Sequence, residues 1–186
     1  PPLLAIISSC AAGLIGDDIE AIARGAGLSC PIAVLDSSGL AGSFADGWDK
    51  AACAVLSAFL PEQHAGQANA VNLIGVTSAY YNGENDADEL MRLLALAGYR
   101  VNAALGCDMS AADLSGLTQA ALNIVVHDEL GGGAAHLLAE TCGMPCIAPL
   151  PPYGRAGTRK WLAEIGRVLP APRADAAEEE ITRVTR

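Results

Sequence analysis

The sequence predicts an α/β protein in which Rossmann-like parallel sheets carry helices on both faces, and three observations lead there. Short β-branched or aliphatic runs alternate with helix-length amphipathic segments, the rhythm of βα units. The strand-like runs are apolar along their length rather than alternating with polar residues, as strands buried on both faces are. The composition, 52% hydrophobic and 17% charged with 20 glycines in 186 residues, is that of a chain able to bury a core.

In chain order, Leu3–Ser9 reads as a buried strand. Gly16–Arg24 reads as the start of a helix, with Asp17 and Asp18 suited to the positive end of the helix dipole. Ile32–Leu35 is a second strand, Asp36–Ser43 a loop rich in Gly and Ser, and Asp46–Leu60 a helix stopped by Pro61. Glu62–Asn69 is polar and small, the best candidate boundary. The pattern then restarts with strand Val71–Val76, loop Thr77–Gly83 and helix Glu84–Ala97, with Gly98 placed as a C-terminal cap. Strand Arg100–Leu105, a short helix capped by Ser110 and strand Leu122–His127 follow. Gly131-Gly132-Gly133 opens a helix to Thr141, Gly143-Met144-Pro145 turns into strand Cys146–Ala148, and a last helix spans Thr158–Val168. The division expected is an end of a first α/β domain over 1–66, a Rossmann-like second domain over 70–168, and a linker or surface helix over 169–186. A start at Pro1-Pro2 without methionine suggests an excised domain or processed product.

The net charge of −10 excludes a phosphate-neutralising surface, so no nucleic-acid partner is expected. No run is long enough to cross a bilayer, and no secretory signal is visible. Six cysteines at 10, 30, 53, 107, 142 and 146 lie scattered in apolar segments. A reducing, cytoplasmic compartment is therefore expected, with most thiols serving as small hydrophobes.

Two residues stand out as candidates for chemistry. Cys10, after Ser8-Ser9 at the C-terminal end of a strand, lies where open α/β sheets place ligands. It is either a structural thiol or a ligand for a soft metal or iron–sulfur centre. His127 ends a strand and is either an ordinary hydrogen-bonded histidine, a metal ligand or a proton donor. Cys142 and Cys146 lack a second ligand pair for zinc, and His127 and His136 do not form the zinc-protease spacing. Gly131–Gly133 lacks both the dinucleotide fingerprint and the Walker lysine, and reads as a flexible turn. Glu178-Glu179-Glu180 with Arg183 and Arg186 reads as a solvated helix face.

The run Ser8-Ser9-Cys10 through Gly16-Asp17-Asp18-Ile19-Glu20-Ala21-Ile22 resembles the cluster-cysteine segment of nitrogenase component 1 type oxidoreductases. That family includes nitrogenase α and β subunits, cofactor-assembly scaffolds and light-independent protochlorophyllide reductase. Ser38–Ser43 with Gly47-Trp48-Asp49, Val71–Gly75, Asp88-Glu89-Leu90, Ala121–Val125, Gly143-Met144-Pro145 and Pro151–Gly154 with Thr158 follow in the family's order, with a β-type character. The resemblance covers roughly residues 3–168 and implies the fold of the nitrogenase iron–molybdenum protein. It also implies a second component 1 subunit, homo- or hetero-oligomeric, and an ATP-dependent iron–sulfur reductase as partners. Cys10 would ligate an iron–sulfur cluster shared between subunits, with Ser43 beside it. His127 lies close to where catalytic α subunits carry the cysteine that anchors the active-site metallocluster, and the histidine there argues against a standard molybdenum α subunit. One cysteine cannot hold a cluster, so the isolated chain is expected to carry none and to be inactive. The function implied is a subunit that passes electrons to a substrate or metallocofactor. The alternative is a non-catalytic scaffold for metallocofactor assembly.

Overall fold

The computed structural model describes residues 2–36, 42–60 and 66–183. Residues 37–41 of the Gly/Ser loop, Pro61, residues 62–65 of the expected boundary and residues 184–186 lie outside them. Two parallel sheets form. The smaller pairs β1 (Leu4–Ser8) with β2 (Ile32–Asp36), in register from Leu4 opposite Ile32 to Ser8 opposite Asp36. The larger has the order β4-β3-β5-β6, from β3 (Gln67–Ile74), β4 (Arg100–Leu105), β5 (Ala120–Val125) and β6 (Cys146–Ile147). Parallel neighbours require crossovers, and helices supply them.

Helices cover both faces of the larger sheet, as the fold class requires. On one face, α4 (Gly83–Leu96), α7 (Gly154–Val168) and α8 (Ala174–Arg183) bury Leu90, Leu94, Trp161, Ile165 and Ala177 against Val71, Leu73, Leu122 and Ile124. On the other, α3 (Phe44–Phe59) and α6 (Asp128–Cys142) bury Leu56, Ala134 and Leu138 against Ile74, Leu105 and Val125. The short helix α5 (Ala111–Gly116) begins at Ser110, which forms a capping box with Asp113.

Several elements begin elsewhere than the sequence suggests. The segment after β1 is two short helices, α1 (Cys10–Ile15) and α2 (Ile19–Gly25), rather than one. Gly16 adopts φ +77°, the left-handed conformation that ends α1, and Asp18 caps α2 by accepting from Ala21 N–H. The two acids are therefore linker and cap, not the first turn of a helix. Gln67–Asn69, polar in sequence, belong to β3, where Asn69 takes φ +63°. Of the two readings of the tail, linker or surface helix, Ala174–Arg183 form a helix: α8 sinks Ala177 and Ile181 into the core and is tied outward by Arg159–Glu178 and Arg92–Glu180 ion pairs. Arg183 pairs with Glu180 one turn back.

Gly131–Gly133 is not a flexible turn. It lies inside α6, which starts at Asp128. A Cβ on Gly131 would come within 2.6 Å of the Gly75 nitrogen, and one on Gly133 within 2.3 Å of Asp49 Oδ2. The glycines let α6 approach the backbone at the end of β3 on one side and the Asp49 side chain of α3 on the other.

Asparagines cross the larger sheet. Buried Asn72 donates to Asn123 Oδ1 (2.8 Å) and to the Leu117 carbonyl (2.9 Å), while Asn102 donates to Asn72 Oδ1 (3.0 Å) and to the Gly116 carbonyl (3.0 Å). Asn102 occupies the skip in pairing between Val71–Val101 and Asn72–Ala103. Because the polar atoms find each other across three strands, the row fixes strand register instead of penalising burial. Trp161 is the exception: its indole N–H is buried without an acceptor among the described residues.

Candidate functional site

Cys10 opens α1, directly after Ser9, whose hydroxyl accepts from Ala12 N–H as the N-cap. Its side chain is exposed, and so are Ile7, Leu14 and Ile15 around it, at 69%, 75% and 73% of full exposure. Cys142 is buried and the other four cysteines are half-buried, so the expectation of small buried thiols holds least well at Cys10. Burial pushes the thiols of Cys53, Cys107, Cys142 and Cys146 upward, which keeps them protonated and poorly nucleophilic.

Ser43 is the N-cap of α3. Its hydroxyl accepts from Asp46 N–H (3.3 Å) and donates to Asp46 Oδ2 (2.7 Å), while Asp46 Oδ2 accepts from Ser43 N–H (2.7 Å). The backbone N–H of Ser43, and next its hydroxyl, hold the Asp46 carboxyl below the ordinary aspartate range. A metal at Ser43 would have to replace part of this capping box.

His127 stands between β5 and α6. The sharp approach that places it needs Gly75, at φ +76°, because any Cβ there would lie 2.3 Å from the His127 carbonyl oxygen. The Val126 N–H donates to the Ile74 carbonyl (2.8 Å), continuing the strand pairing up to the histidine. His127 Nδ1 lies 3.8 Å from Glu129 Oε1, an ion pair only when the imidazole is protonated. Its ring meets that of Tyr80 edge-on, with centroids 6.2 Å apart.

The same histidine lines a cleft of about 390 Å³ at the C-terminal edge of the sheet. Leu90 and Leu93 of α4, Val126, Pro152 before α7 and Ile181 of α8 give it apolar walls. Arg92 on its rim is committed to Glu89 and Glu180, whereas Arg155 makes no ion pair among the described residues. A cleft at strand C-termini with apolar walls and a few polar groups is the usual form of a small-molecule site.

The three candidates do not converge. Among the described residues, no group of three or more His, Cys, Asp or Glu side chains is placed to hold a metal. An exposed thiol can serve as one ligand of an iron–sulfur centre, which ordinarily takes four cysteines. Cys10 therefore fits a centre completed by residues from elsewhere, and Ser43 fits only at the expense of its cap.

Asp49 escaped the sequence reading. From α3 it accepts from the N–H groups of Gly133 (3.0 Å) and Ala134 (3.1 Å), locking α3 to α6 just beyond His127. The three consecutive glycines were the available signal, since glycine in a helix interior commonly marks a close approach.

The model of the family described as nitrogenase component 1 type oxidoreductase matches residues 1–186. The B subunit of the light-independent protochlorophyllide reductase of Chloroflexus aurantiacus is 28% identical over 182 residues, 98% of this chain and 34% of that protein. Its counterpart of the same name from Acaryochloris marina is 36% identical over 110 residues, 59% of this chain and 22% of that protein. The chain thus spans about a third of the length of curated relatives that it matches almost end to end. Among solved structures, one named "Nitrogenase Cp1 at pH 6.5" superposes with a TM-score of 0.80 at 26% identity, covering 98% of this chain and 35% of that one. A second, named "Nitrogenase Cp1 at pH 5", gives 0.81 at 26% identity, covering 98% of this chain and 37% of that one.

Proposed function

The chain belongs to the nitrogenase component 1 type oxidoreductase family, and we propose that it works as part of a β-type subunit of a cytoplasmic reductase complex. In this reading its partners are a second component 1 subunit and an ATP-dependent iron–sulfur reductase. The observation that carries it is Cys10: an exposed residue at a helix start, with the exposed apolar residues Ile7, Leu14 and Ile15 close to it in the chain. Apolar surface of that kind around a candidate ligand fits a contact buried on assembly.

Cys10 would hold one corner of an iron–sulfur cluster shared across that contact. When bound, the cluster would supply one-electron transfer. This chain's own residues then have three tasks. The apolar walls of the cleft exclude water from a reducible molecule. His127, which lines the cleft, supplies a proton at an imidazole nitrogen. The Asp49 clamp holds α6, and with it His127, against α3.

The test is anaerobic co-purification of the whole subunit with its partner, followed by iron analysis and electron paramagnetic resonance. Cys10→Ala should abolish or reshape the cluster signal while leaving the complex assembled, and His127→Gln should lower turnover with the signal intact. An unchanged signal in Cys10→Ala refutes the ligand role. A scaffold for metallocofactor assembly would instead release an intact cofactor to a recipient protein and show no turnover.

A further inference from the structure

A file of four aromatic rings runs from α3 to the cleft. Trp48 and Phe44 lie one turn apart on α3 with centroids 5.7 Å apart; Phe44 is 5.8 Å from Tyr80; and Tyr80 meets His127 at 6.2 Å with the planes at 66°. All three spacings fall where aromatic rings attract one another. Phe44 directly follows the capping Ser43, so the file runs from the start of α3 to the cleft.

Core packing does not account for these rings. Phe44 is 53% exposed and Tyr80 38%, and neither belongs to the buried clusters of the larger sheet. The backbone beneath Tyr80 is nonetheless braced. Thr77 Oγ1 accepts from Ala79 N–H (3.0 Å), the Tyr80 carbonyl accepts from Gly83 N–H (3.0 Å), and a Cβ on Gly83 would lie 2.0 Å from the Thr77 carbonyl oxygen. At the other end, Trp48 seats where a Cβ on Gly106 would come within 2.9 Å of its ring. Trp48 and the backbone of Tyr80 are thus held, and the Tyr80 ring lies against Phe44 on one side and His127 on the other.

The imidazole needs such a constraint. Glu129 Oε1 at 3.8 Å from Nδ1 is too far for a hydrogen bond, and the His127 side chain makes no capping bond to α6. We propose that Tyr80 is a positioning residue for His127, and that Phe44 couples it to the Ser43 end of α3, so that a change at the Ser43 cap is transmitted to the imidazole. This rests on the reading of His127 as the proton donor of the cleft.

The experiment uses the full chain with ring-labelled histidine, observed by 1H–13C NMR at fixed pH, with the exposed His136 as internal reference. Tyr80→Ala should displace the His127 ring signals, and Tyr80→Phe should restore them. The deciding variants are Phe44→Ala and Phe44→Leu: each should move His127 in the direction of Tyr80→Ala by a smaller amount, with His136 unmoved. His127 signals unchanged in both Phe44 variants would overturn the coupling, and unchanged signals in Tyr80→Ala would overturn the positioning role. Displacement of His136 along with His127 would also overturn it, because the effect would then be general. In the assembled complex, Tyr80→Ala should alter the pH profile of turnover while Tyr80→Phe keeps it. The NMR result is read without cluster or substrate, so loss of the cluster assignment to Cys10 would leave the aromatic coupling standing, and the reverse holds too.

Discussion

Replacing Gly133 by alanine isolates the contact that binds α3 to α6. In an ordinary helix interior the change would stabilise, since alanine is favoured over glycine by about 1 kcal/mol. Here the new methyl would sit 2.3 Å from Asp49 Oδ2 and 3.2 Å from Cys53 Sγ, so the carboxylate must leave the Gly133 and Ala134 N–H groups. Hydrogen bonds to a charged group contribute roughly 1.5–3 kcal/mol each, and overpacking costs about 1–3 kcal/mol. With the propensity gain subtracted, and only part of the carboxylate's bonding lost because water replaces some of it, the net destabilisation should be about 2 kcal/mol. Gly132→Ala is the matched control: its methyl meets only the movable Asp128 carboxylate, 2.9 Å away, and should be neutral or stabilising by up to about 1 kcal/mol. Urea unfolding of the parent, both single variants, Asp49→Ala and the Asp49→Ala/Gly133→Ala pair, followed by circular dichroism, measures all the terms. In the Asp49→Ala background the Gly133→Ala step should lose most of its cost. If Gly133→Ala matched Gly132→Ala, or kept its full cost without Asp49, the clamp would not exist as described.

Two further outcomes follow from the polar interior and the caps. Asn72→Leu strands the Asn102 amide and the Leu117 carbonyl in a buried sheet, and should cost about 1–3 kcal/mol in the same denaturation assay; a neutral result would mean that the asparagine row does not set register. The carboxyl of Asp46 is lowered by the Ser43 backbone N–H and then its hydroxyl, and that of Asp113 by the Ser110 hydroxyl and then its backbone N–H. Carboxyls lowered in the folded state contribute stability that is present above the ordinary aspartate value of 3.8 and is lost as pH falls through the folded value. The Ser43→Ala/Ser110→Ala variant should therefore be less stable than the parent at neutral pH, and show a shallower loss of stability as pH falls below the ordinary aspartate value. An equally steep acid limb would assign the acid sensitivity to other groups.

The βα rhythm, the parallel sheets and helices over both faces were legible in the sequence because they follow from local features. Apolar runs the length of strands, Gly98 after α4 and Ser110 before α5 each announce themselves within a few residues. The two-helix break at Gly16 was missed because a left-handed glycine cap and a helix interior glycine look alike in sequence. The family resemblance was also legible, carried by motifs in order rather than by any one of them.

What the sequence determined by itself is which residues are able to act: an unusual cysteine after a strand, a histidine at a strand end, a serine at a helix start. The tertiary structure decided how they stand. It exposed Cys10 on an apolar surface, committed Ser43 to a cap, and set His127 in a cleft through a carbonyl that only Gly75 can approach. The reason is distance along the chain. Asp49 meets Gly133 across 84 residues and Asn72 meets Asn123 across 51, and no local pattern encodes a contact made only when separate elements pack.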